Sequence, residues 1–117
     1  MRMWKIDPKI LCRRHLLGAH LELHMFLDSF KKKRKVDGFL KNNLLEPLSL
    51  KENHDEIVNE FLNRGYQHKT PLDFDISQLS YLTSEQINVK IDPERSSNDL
   101  FSRCQECQNR MLKFKNI

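Results

Sequence analysis

The sequence predicts a mainly α fold: a single compact domain, residues 1–117, of three principal helices with long irregular connections. The length of 117 residues fits one domain. An Asp-Pro pair, which is typical of helix starts, occurs at Asp7-Pro8 and again at Asp92-Pro93. No internal repeat and no Gly/Ser-rich or Pro-rich linker divides the chain.

The first helix is predicted from Pro8 to about Phe30, because the Asp7 carboxylate can cap free backbone N–H groups. Apolar residues recur along it at helical intervals, at Ile10, Leu11, Leu17, Leu21 and Phe26. Gly18 lies inside this segment, where a glycine costs about 1 kcal/mol relative to alanine. Tight helix packing and close approach of a ligand would each explain this glycine.

The second helix is predicted from about Lys51 to Arg64, with Gly65 closing it in a left-handed conformation. Its apolar stripe contains Ile57, Val58, Phe61 and Leu62. Between the first two helices, a basic run at residues 31–35 is followed by Asp37-Gly38, which indicates a turn.

The last part of the chain is predicted to contain a long loop and a third helix. Residues 66–92 favour a loop with short turns and one helical turn near Ser84. After Asp92-Pro93, the third helix is predicted from about Ser96 to Lys113. Its apolar face contains Leu100, Phe101, Cys104, Cys107, Met111 and Leu112.

Composition limits the class of protein. The formal net charge of +4 favours anionic partners such as nucleic acid. No apolar run approaches the roughly 18–20 residues needed to cross a bilayer, so no membrane partner is expected. The start of the chain, MRMWK, does not resemble a secretory signal, and three cysteines cannot form a closed disulfide framework. We therefore expect an intracellular protein that is not secreted.

Glu22 is the carboxylate of greatest interest on the first helix. Helical spacing places it on one face with His15 and Ala19, and Leu21 and Leu23 flank it. It either lies on the solvated edge of the helix or sits in a partly dry site, where its pKa would suit acid/base chemistry. Spacing alone leaves both interpretations open.

Two pairs of residues have the spacing of metal ligands. His20 and His24 are four apart on a helix, and Cys104 and Cys107 form a CxxC. Together they could form a Cys2His2 site, but both cysteines also fit the apolar face of the third helix as small hydrophobic residues. The second interpretation is favoured, so we predict neither a metal nor a small-molecule cofactor.

The basic run consists of Lys31, Lys32, Lys33, Arg34 and Lys35. Its composition suits phosphate contacts, and it also resembles a nuclear-import signal. A solvated loop is the third interpretation, and composition does not separate the three.

Three stretches taken in order carry a family resemblance. They are Met1-Arg2, residues 14–23 (RHLLGAHLEL), and residues 63–70 (NRGYQHKT) followed by Asp75-Ile76-Ser77. At this spacing they resemble the endonuclease V-like pyrimidine-dimer DNA glycosylases of phages, which are single, mainly three-helix domains. The resemblance covers roughly residues 1–77, and it makes a phage or other viral origin plausible.

The resemblance implies a catalytic mechanism. In the family, the α-amine of the first residue attacks C1′ of a damaged nucleotide, and the resulting Schiff base allows β-elimination that nicks the strand. By position, the amine belongs to Met1 and the essential helix-1 carboxylate to Glu22. Arg2 and His15 match substrate-binding residues of the family. The implied partner is double-stranded damaged DNA, and we expect a monomer.

The chemistry of an α-amine is compatible with this role. Its ordinary pKa is about 7.7–8, against about 10.4 for lysine, so a sizeable fraction is unprotonated near neutral pH. We expect Met1 to be retained, because methionine aminopeptidases generally remove Met only before a small residue and Arg2 is large.

The chain also departs from the family pattern. Ala19 replaces a residue that is commonly acidic, and Leu21 and Met25 stand where a family member has DNA-binding arginines. The aromatic, basic carboxy-terminal segment is shortened, leaving Arg110 and Lys113 as its candidate substrate contacts. A catalytically degenerate member, acting as a DNA-binding or virion/assembly protein, is therefore the alternative function.

Overall fold

Six α-helices and three 3-10 turns account for the regular structure of the computed structural model, which describes residues 1–115. The helices are α1 (Arg13–Lys31), α2 (Asp37–Lys41), α3 (Leu50–Asn63), α4 (Ser84–Ile87), α5 (Pro93–Arg103) and α6 (Gln105–Lys115). The 3-10 turns are Pro8–Ile10, Pro47–Ser49 and Ile76–Leu79. The mainly α prediction is confirmed, with four substantial helices where three were expected.

The first long helix begins later than predicted. Asp7 does accept a 3.1 Å hydrogen bond from the Lys9 backbone, but the segment it caps is only a 3-10 turn. Leu11 and Cys12 then take an extended conformation, and both are buried. The Cys12 side chain caps α1, so the predicted start at Pro8 is wrong because core packing breaks the helix before Arg13.

The core face of α1 also differs from the predicted stripe. The buried residues are Leu16, Ala19, Leu23, Phe26, Leu27 and Phe30. Leu17 and Leu21 are instead 40% and 60% exposed. A Cβ on Gly18 would meet no atom within 4 Å among the described residues, so tight helix packing does not explain this glycine, and close approach of a ligand stays a prediction.

The prediction for α3 is confirmed to within one residue at each end. Ile57 and Phe61 are buried, whereas Leu62 is 61% exposed. Gly65 has a φ of 80° and forms the predicted left-handed cap. The Tyr66 backbone N–H donates to the Phe61 carbonyl at 2.8 Å, which completes the helix end.

The predicted third helix is two helices. The helix-start signature at Asp92-Pro93 is confirmed, since the Asp92 side chain accepts from the Glu94 backbone at 3.1 Å. The helix begins at Pro93, three residues before the predicted start near Ser96. Cys104, however, is extended, with φ −137° and ψ 106°, and it separates α5 from α6. This break places both Cys104 and Cys107 in the core, while Leu112 remains 47% exposed.

The connections contain more helix than predicted. Asp37-Gly38 begins the short α2, so the predicted turn is wrong. The helical turn predicted near Ser84 is confirmed as α4, which Thr83 and Gln86 stabilise with a capping box.

Long-range packing joins the two ends of the chain. Helix α1 packs against α3, and α6 packs against both α5 and the Pro8–Ile10 turn. Buried Glu46 links three segments through hydrogen bonds from the Lys5 ammonium, the Ser49 hydroxyl and the Ile91 backbone. None of the helices within residues 1–115 has both the length and the apolarity that a membrane span requires.

Candidate active site

A pocket of about 320 Å³ opens beside the amino terminus. Four residues that the sequence singled out line it together: Met1, Arg2, His15 and Glu22. The amino-terminal segment and one face of α1 therefore meet at a single site.

The backbone of the amino-terminal segment is held at both sides of this pocket. The Arg2 N–H donates a 2.6 Å hydrogen bond to Glu22 Oε2. The next N–H, from Met3, donates to the Leu44 carbonyl at 2.8 Å, and the Met3 side chain is buried. The carboxylate on α1 is thereby placed against the first peptide bond of the chain.

The Arg2 guanidinium turns away from Glu22 and into α5. It pairs with Asp99 at 3.1 Å and donates to the Ser96 hydroxyl at 3.4 Å. It also stacks over Trp4, with 4.0 Å between Arg2 Cζ and the ring centroid. Because Arg2 is only 9% exposed, these contacts make it a tether for the amino terminus in this conformation.

Sequence reasoning missed three residues of the pocket: Trp4, Leu44 and Arg103. Arg103 is exposed and sits at the carboxyl end of α5, where its charge can attract a DNA phosphate. The sequence offered no signal for it, because the predicted third helix ran straight through this position.

His15 lies between the pocket and a group of cysteines. Its Nδ1 is 3.2 Å from Cys12 Sγ and 3.6 Å from Cys107 Sγ. The ring also stands edge-on to Trp4, with 6.2 Å between centroids. Burial, followed by the charge of Arg14, lowers the pKa of His15.

Four histidines form a second cluster: His20, His24, His54 and His68. The Nε2 atom of His20 lies 3.2 Å from that of His54 and 3.1 Å from that of His68. Burial and then the neighbouring imidazoles lower the pKa of His20 to about 4. The His20 ring is therefore neutral near pH 7.

The Cys2His2 combination considered from sequence does not form. The CxxC cysteines lie with Cys12 and His15, whereas His20 and His24 lie in the separate histidine cluster. The cysteines are buried, as the hydrophobic interpretation predicted, but they contact each other and a histidine.

The predicted phosphate-binding cations lie outside this pocket. All five residues of the basic run are exposed, and Lys32 and Arg34 pair with Asp28. Arg34 lines a neighbouring hollow that also includes Met1 and Met25. The run is therefore accessible to DNA, and its role in binding stays a prediction.

The carboxy-terminal candidates are on α6. Arg110 donates a 2.9 Å hydrogen bond to the Lys9 carbonyl, which ties α6 to the Pro8–Ile10 turn. Lys113 is exposed beside Phe114. Arg110 thus has a structural partner, and substrate contacts by these two residues remain a prediction.

Comparison with known proteins identifies the family. The family model described as "Pyrimidine dimer DNA glycosylase" matches residues 1–74, which is more than half of the chain. The chain belongs to the pyrimidine dimer DNA glycosylase family. This membership implies a DNA repair glycosylase that binds damaged DNA. No curated protein and no solved structure matches the chain.

The family match divides the site into two parts. Met1, Arg2, His15 and Glu22 lie inside the matched region, whereas Asp99 and Arg103 lie beyond it. The glycosylase-like region therefore supplies the amine and the carboxylate, and α5 supplies the tether and an additional cation.

Proposed function

We propose that this protein is a DNA glycosylase with AP-lyase activity that acts through the α-amine of Met1, with Glu22 transferring the protons. The observation that supports this most directly is the 2.6 Å hydrogen bond from the Arg2 N–H to Glu22 Oε2. It places the carboxylate beside the residue that carries the amine.

Covalent geometry limits how far the amine can lie from Glu22. Three bonds separate the Met1 nitrogen from the Arg2 nitrogen, so these two atoms are at most about 4 Å apart. The amine is consequently within about 6.5 Å of Glu22 Oε2, a distance that one water can bridge. A sugar carbon in the pocket can contact the amine while its hydrogens face Glu22.

The base is expelled in the first half of the reaction. The Met1 nitrogen lone pair forms a bond to C1′ while the glycosidic bond breaks. The base leaves with the two electrons of the glycosidic bond and takes a proton from water. Glu22 accepts a proton from the attacking nitrogen. The C1′–O4′ bond then breaks, O4′ receives the proton, and C1′ and nitrogen form an iminium.

The strand is nicked in the second half. Glu22 removes a proton from C2′, the electrons form a C2′=C3′ double bond, and the C3′–O bond breaks with phosphate as the leaving group. Water then hydrolyses the iminium and releases the Met1 amine. One carboxylate serves in each step because it alternates between its two protonation states.

The remaining pocket residues suit a nucleotide. Arg103 and the His15 ring border the site and can contact a phosphate beside the damaged nucleotide. Outside this pocket, Leu21 and Met25 are 60% and 47% exposed on α1, and they offer an apolar surface against which an unstacked base can rest. We infer a damaged pyrimidine in duplex DNA as the substrate.

Borohydride trapping tests the proposal. The protein is incubated with duplex DNA that contains an abasic site, and separately with ultraviolet-irradiated duplex, and borohydride then reduces any iminium to a stable adduct. We expect an adduct that maps to Met1 by peptide mass spectrometry, and its rate of formation should fall at least about 100-fold in Glu22→Gln.

Glu52→Gln is the matched control, because Glu52 is an exposed carboxylate on α3 away from the pocket. It should trap DNA like the unmodified protein. If the unmodified protein forms no adduct on either substrate while still binding DNA, the enzymatic proposal is wrong, and the non-catalytic DNA-binding alternative is supported.

A further inference from the structure

Three cysteines and one histidine converge where the start of α1 meets the α5–α6 junction. Their ligand atoms, the sulfurs of Cys12, Cys104 and Cys107 and a ring nitrogen of His15, all lie within 4.8 Å of one another. Cys12 Sγ is 3.9 Å from Cys104 Sγ and 3.2 Å from His15 Nδ1. His15 Nδ1 is 3.6 Å from Cys107 Sγ.

These separations match the edges of a zinc tetrahedron. With Zn–S near 2.3 Å and Zn–N near 2.0–2.1 Å, tetrahedral geometry separates two sulfurs by about 3.8 Å and a sulfur from a nitrogen by about 3.6 Å. Cys3His is also a common ligand set of closed structural zinc sites. The sequence supplies it as two short pairs, Cys12-x-x-His15 and Cys104-x-x-Cys107.

The surrounding backbone is arranged to stabilise thiolates. The Cys12 N–H donates to Cys107 Sγ at 3.2 Å, and the His15 N–H donates to Cys12 Sγ at 3.5 Å. The Cys107 N–H donates to Cys104 Sγ at 3.5 Å. Such N–H···S bonds hold metal-binding sulfurs in place and favour their charged form.

Other ligands fit these four side chains less well. A disulfide would use only two of the three sulfurs and would leave the histidine unused. In a [4Fe–4S] cluster each thiolate binds a different iron, which separates the sulfurs further than 3.9 Å.

We propose that Cys12, His15, Cys104 and Cys107 bind one zinc ion. The ion joins the start of α1 to the α5–α6 junction, across 92 residues of sequence. Because His15 Nδ1 is the ligand atom, the other ring nitrogen keeps its hydrogen and can donate to a group in the adjoining pocket.

Metal analysis and cobalt substitution test this site. Protein is purified under reducing conditions without chelators, zinc per chain is measured by mass spectrometry, and Co²⁺ is then substituted. We expect an intense near-ultraviolet band from thiolate-to-cobalt charge transfer. Cys104→Ser should lose one equivalent of zinc and weaken that band.

Gln105→Ala is the matched control, because Gln105 is exposed within the same CxxC and carries no ligand atom. It should retain both the zinc and the band. Should Cys104→Ser fold poorly, mercurial titration of the unmodified protein replaces it, and three thiols should react as one zinc is released. The proposal is overturned if the cobalt protein has no thiolate band, or if thiol modification releases no zinc.

The histidine cluster has the geometry of a second metal site, independent of the cysteine site. His20 and His24 lie on α1, His54 on α3, and His68 in the loop that follows. Their four ligand nitrogens lie within 4.8 Å of one another. The Nε2 separations of 3.2 Å and 3.1 Å measured from His20 are close to the roughly 3.3 Å expected between nitrogens around zinc.

Two of the histidines have partners for the ring nitrogen that faces away from the cluster. Such partners favour a hydrogen on that outer nitrogen, so the lone pair of the inner nitrogen points toward the centre of the cluster. His54 Nδ1 lies 3.1 Å from an Asp55 carboxylate oxygen, which Lys51 holds at 2.9 Å. The Thr70 backbone lies near His24 and opposes the lowering of its pKa, while the buried His24 Nε2 has no hydrogen-bond partner among residues 1–115. Metal-binding histidines commonly donate their other N–H to a carboxylate or a backbone carbonyl in this manner.

Protons alone do not satisfy this arrangement. Once His54 and His24 carry their hydrogens on Nδ1, each presents an Nε2 lone pair to the same centre, and facing lone pairs repel. A divalent cation can accept one nitrogen lone pair from each of the four histidines. We infer that His20, His24, His54 and His68 form a second site for a divalent transition metal, and zinc is the probe that we would use first.

The two sites are distinguished by the same measurements. The unmodified protein should hold two zinc ions per chain. His68→Ala should lose one of them and leave the thiolate-to-cobalt band unchanged, because its site contains no sulfur. Gln67→Ala, at an exposed neighbouring position, is the matched control and should keep both ions. A zinc content that His68→Ala leaves unchanged would overturn the second site without affecting the first.

Discussion

The Arg2 guanidinium and the Asp99 carboxylate, 97 residues apart in sequence, form a 3.1 Å ion pair. This pair fastens the amino-terminal segment to α5. The Arg2 side chain is 11% exposed and that of Asp99 is 36% exposed, so the pair is only partly screened by solvent. We infer that it fixes the position of the Met1 amine relative to Glu22.

Asp99→Asn should slow covalent trapping and lower stability by a similar free energy. Loss of a partly exposed ion pair costs about 1 kcal/mol, and the released amino terminus should lower the trapping rate roughly fivefold. Single-turnover trapping on abasic DNA measures the rate, and urea unfolding measures the stability. Asp73→Asn, at an exposed loop position, should change neither. An Asp99→Asn protein that traps at the unmodified rate would show that the pair does not position the amine.

One extra residue at the amino terminus should abolish lyase activity. A glycine added before Met1 moves the amine by up to about 3.6 Å along the chain. Since a misplacement of about 1 Å can cost 100-fold, we expect trapping to fall by at least that factor. A glycine added after Ile117 is the control. Intact mass verifies each terminus, and efficient trapping by the extended chain at a site other than its new amino terminus would exclude the α-amine as nucleophile.

The basic run should set much of the salt dependence of DNA binding. Lys31, Lys33 and Lys35 are exposed and, unlike Lys32 and Arg34, form no ion pair with Asp28. Replacing these three with glutamine should reduce the slope of log K against log salt by roughly 0.9 for each phosphate that the variant no longer neutralises.

Binding isotherms at several salt concentrations give this slope. The matched control replaces three other exposed lysines, Lys41, Lys69 and Lys90, and should change the slope less. Equal slopes for the two triple variants would mean that the run makes no specific set of phosphate contacts.

Glu46 should make stability depend on pH in the acid range. Its burial alone would raise its pKa, but hydrogen bonds from Lys5, Ser49 and the Ile91 backbone outweigh burial and lower the pKa below its ordinary value of 4.5. The carboxylate therefore stabilises the fold above about pH 4.5, and this contribution is lost as the pH falls through the lowered pKa.

Glu46→Gln should cost about 2 kcal/mol at pH 7, and the difference from the unmodified protein should shrink as the pH falls below 4.5. Urea unfolding at several pH values between 7 and 3 measures both effects. Glu52→Gln should show neither. A cost for Glu46→Gln that is independent of pH would mean that the charge of Glu46 does not contribute.

Local signals predicted much of the secondary structure. Asp92-Pro93 begins α5 as expected, and Gly65 ends α3 in the left-handed conformation. These predictions succeeded because a cap depends on groups within about one turn of helix. The long segments that the sequence joined into single helices are broken at Cys12 and Cys104, where extended backbone turns each cysteine into the core.

The candidate site was also predictable only where local sequence carried the information. Residue type and order, together with the family resemblance, predicted Met1, Arg2, His15 and Glu22 as site residues. The orientation of Arg2 could not be predicted, because its partner Asp99 belongs to a helix at the opposite end of the chain. Helical periodicity was also a poor guide to burial on α1, where Leu21 is 60% exposed.

The sequence by itself determined the helical class and both ends of α3, and it predicted Met1 and Glu22 as the candidate amine–carboxylate pair. Only the tertiary structure decided that Arg103 borders that pair, that Cys12 meets Cys104, and that His20 meets His54 and His68. The physical reason is range: capping and periodicity act over a few residues, whereas the histidine and cysteine contacts join positions 34 to 92 apart. Such contacts form only when burial of the apolar helix faces fixes how the helices pack.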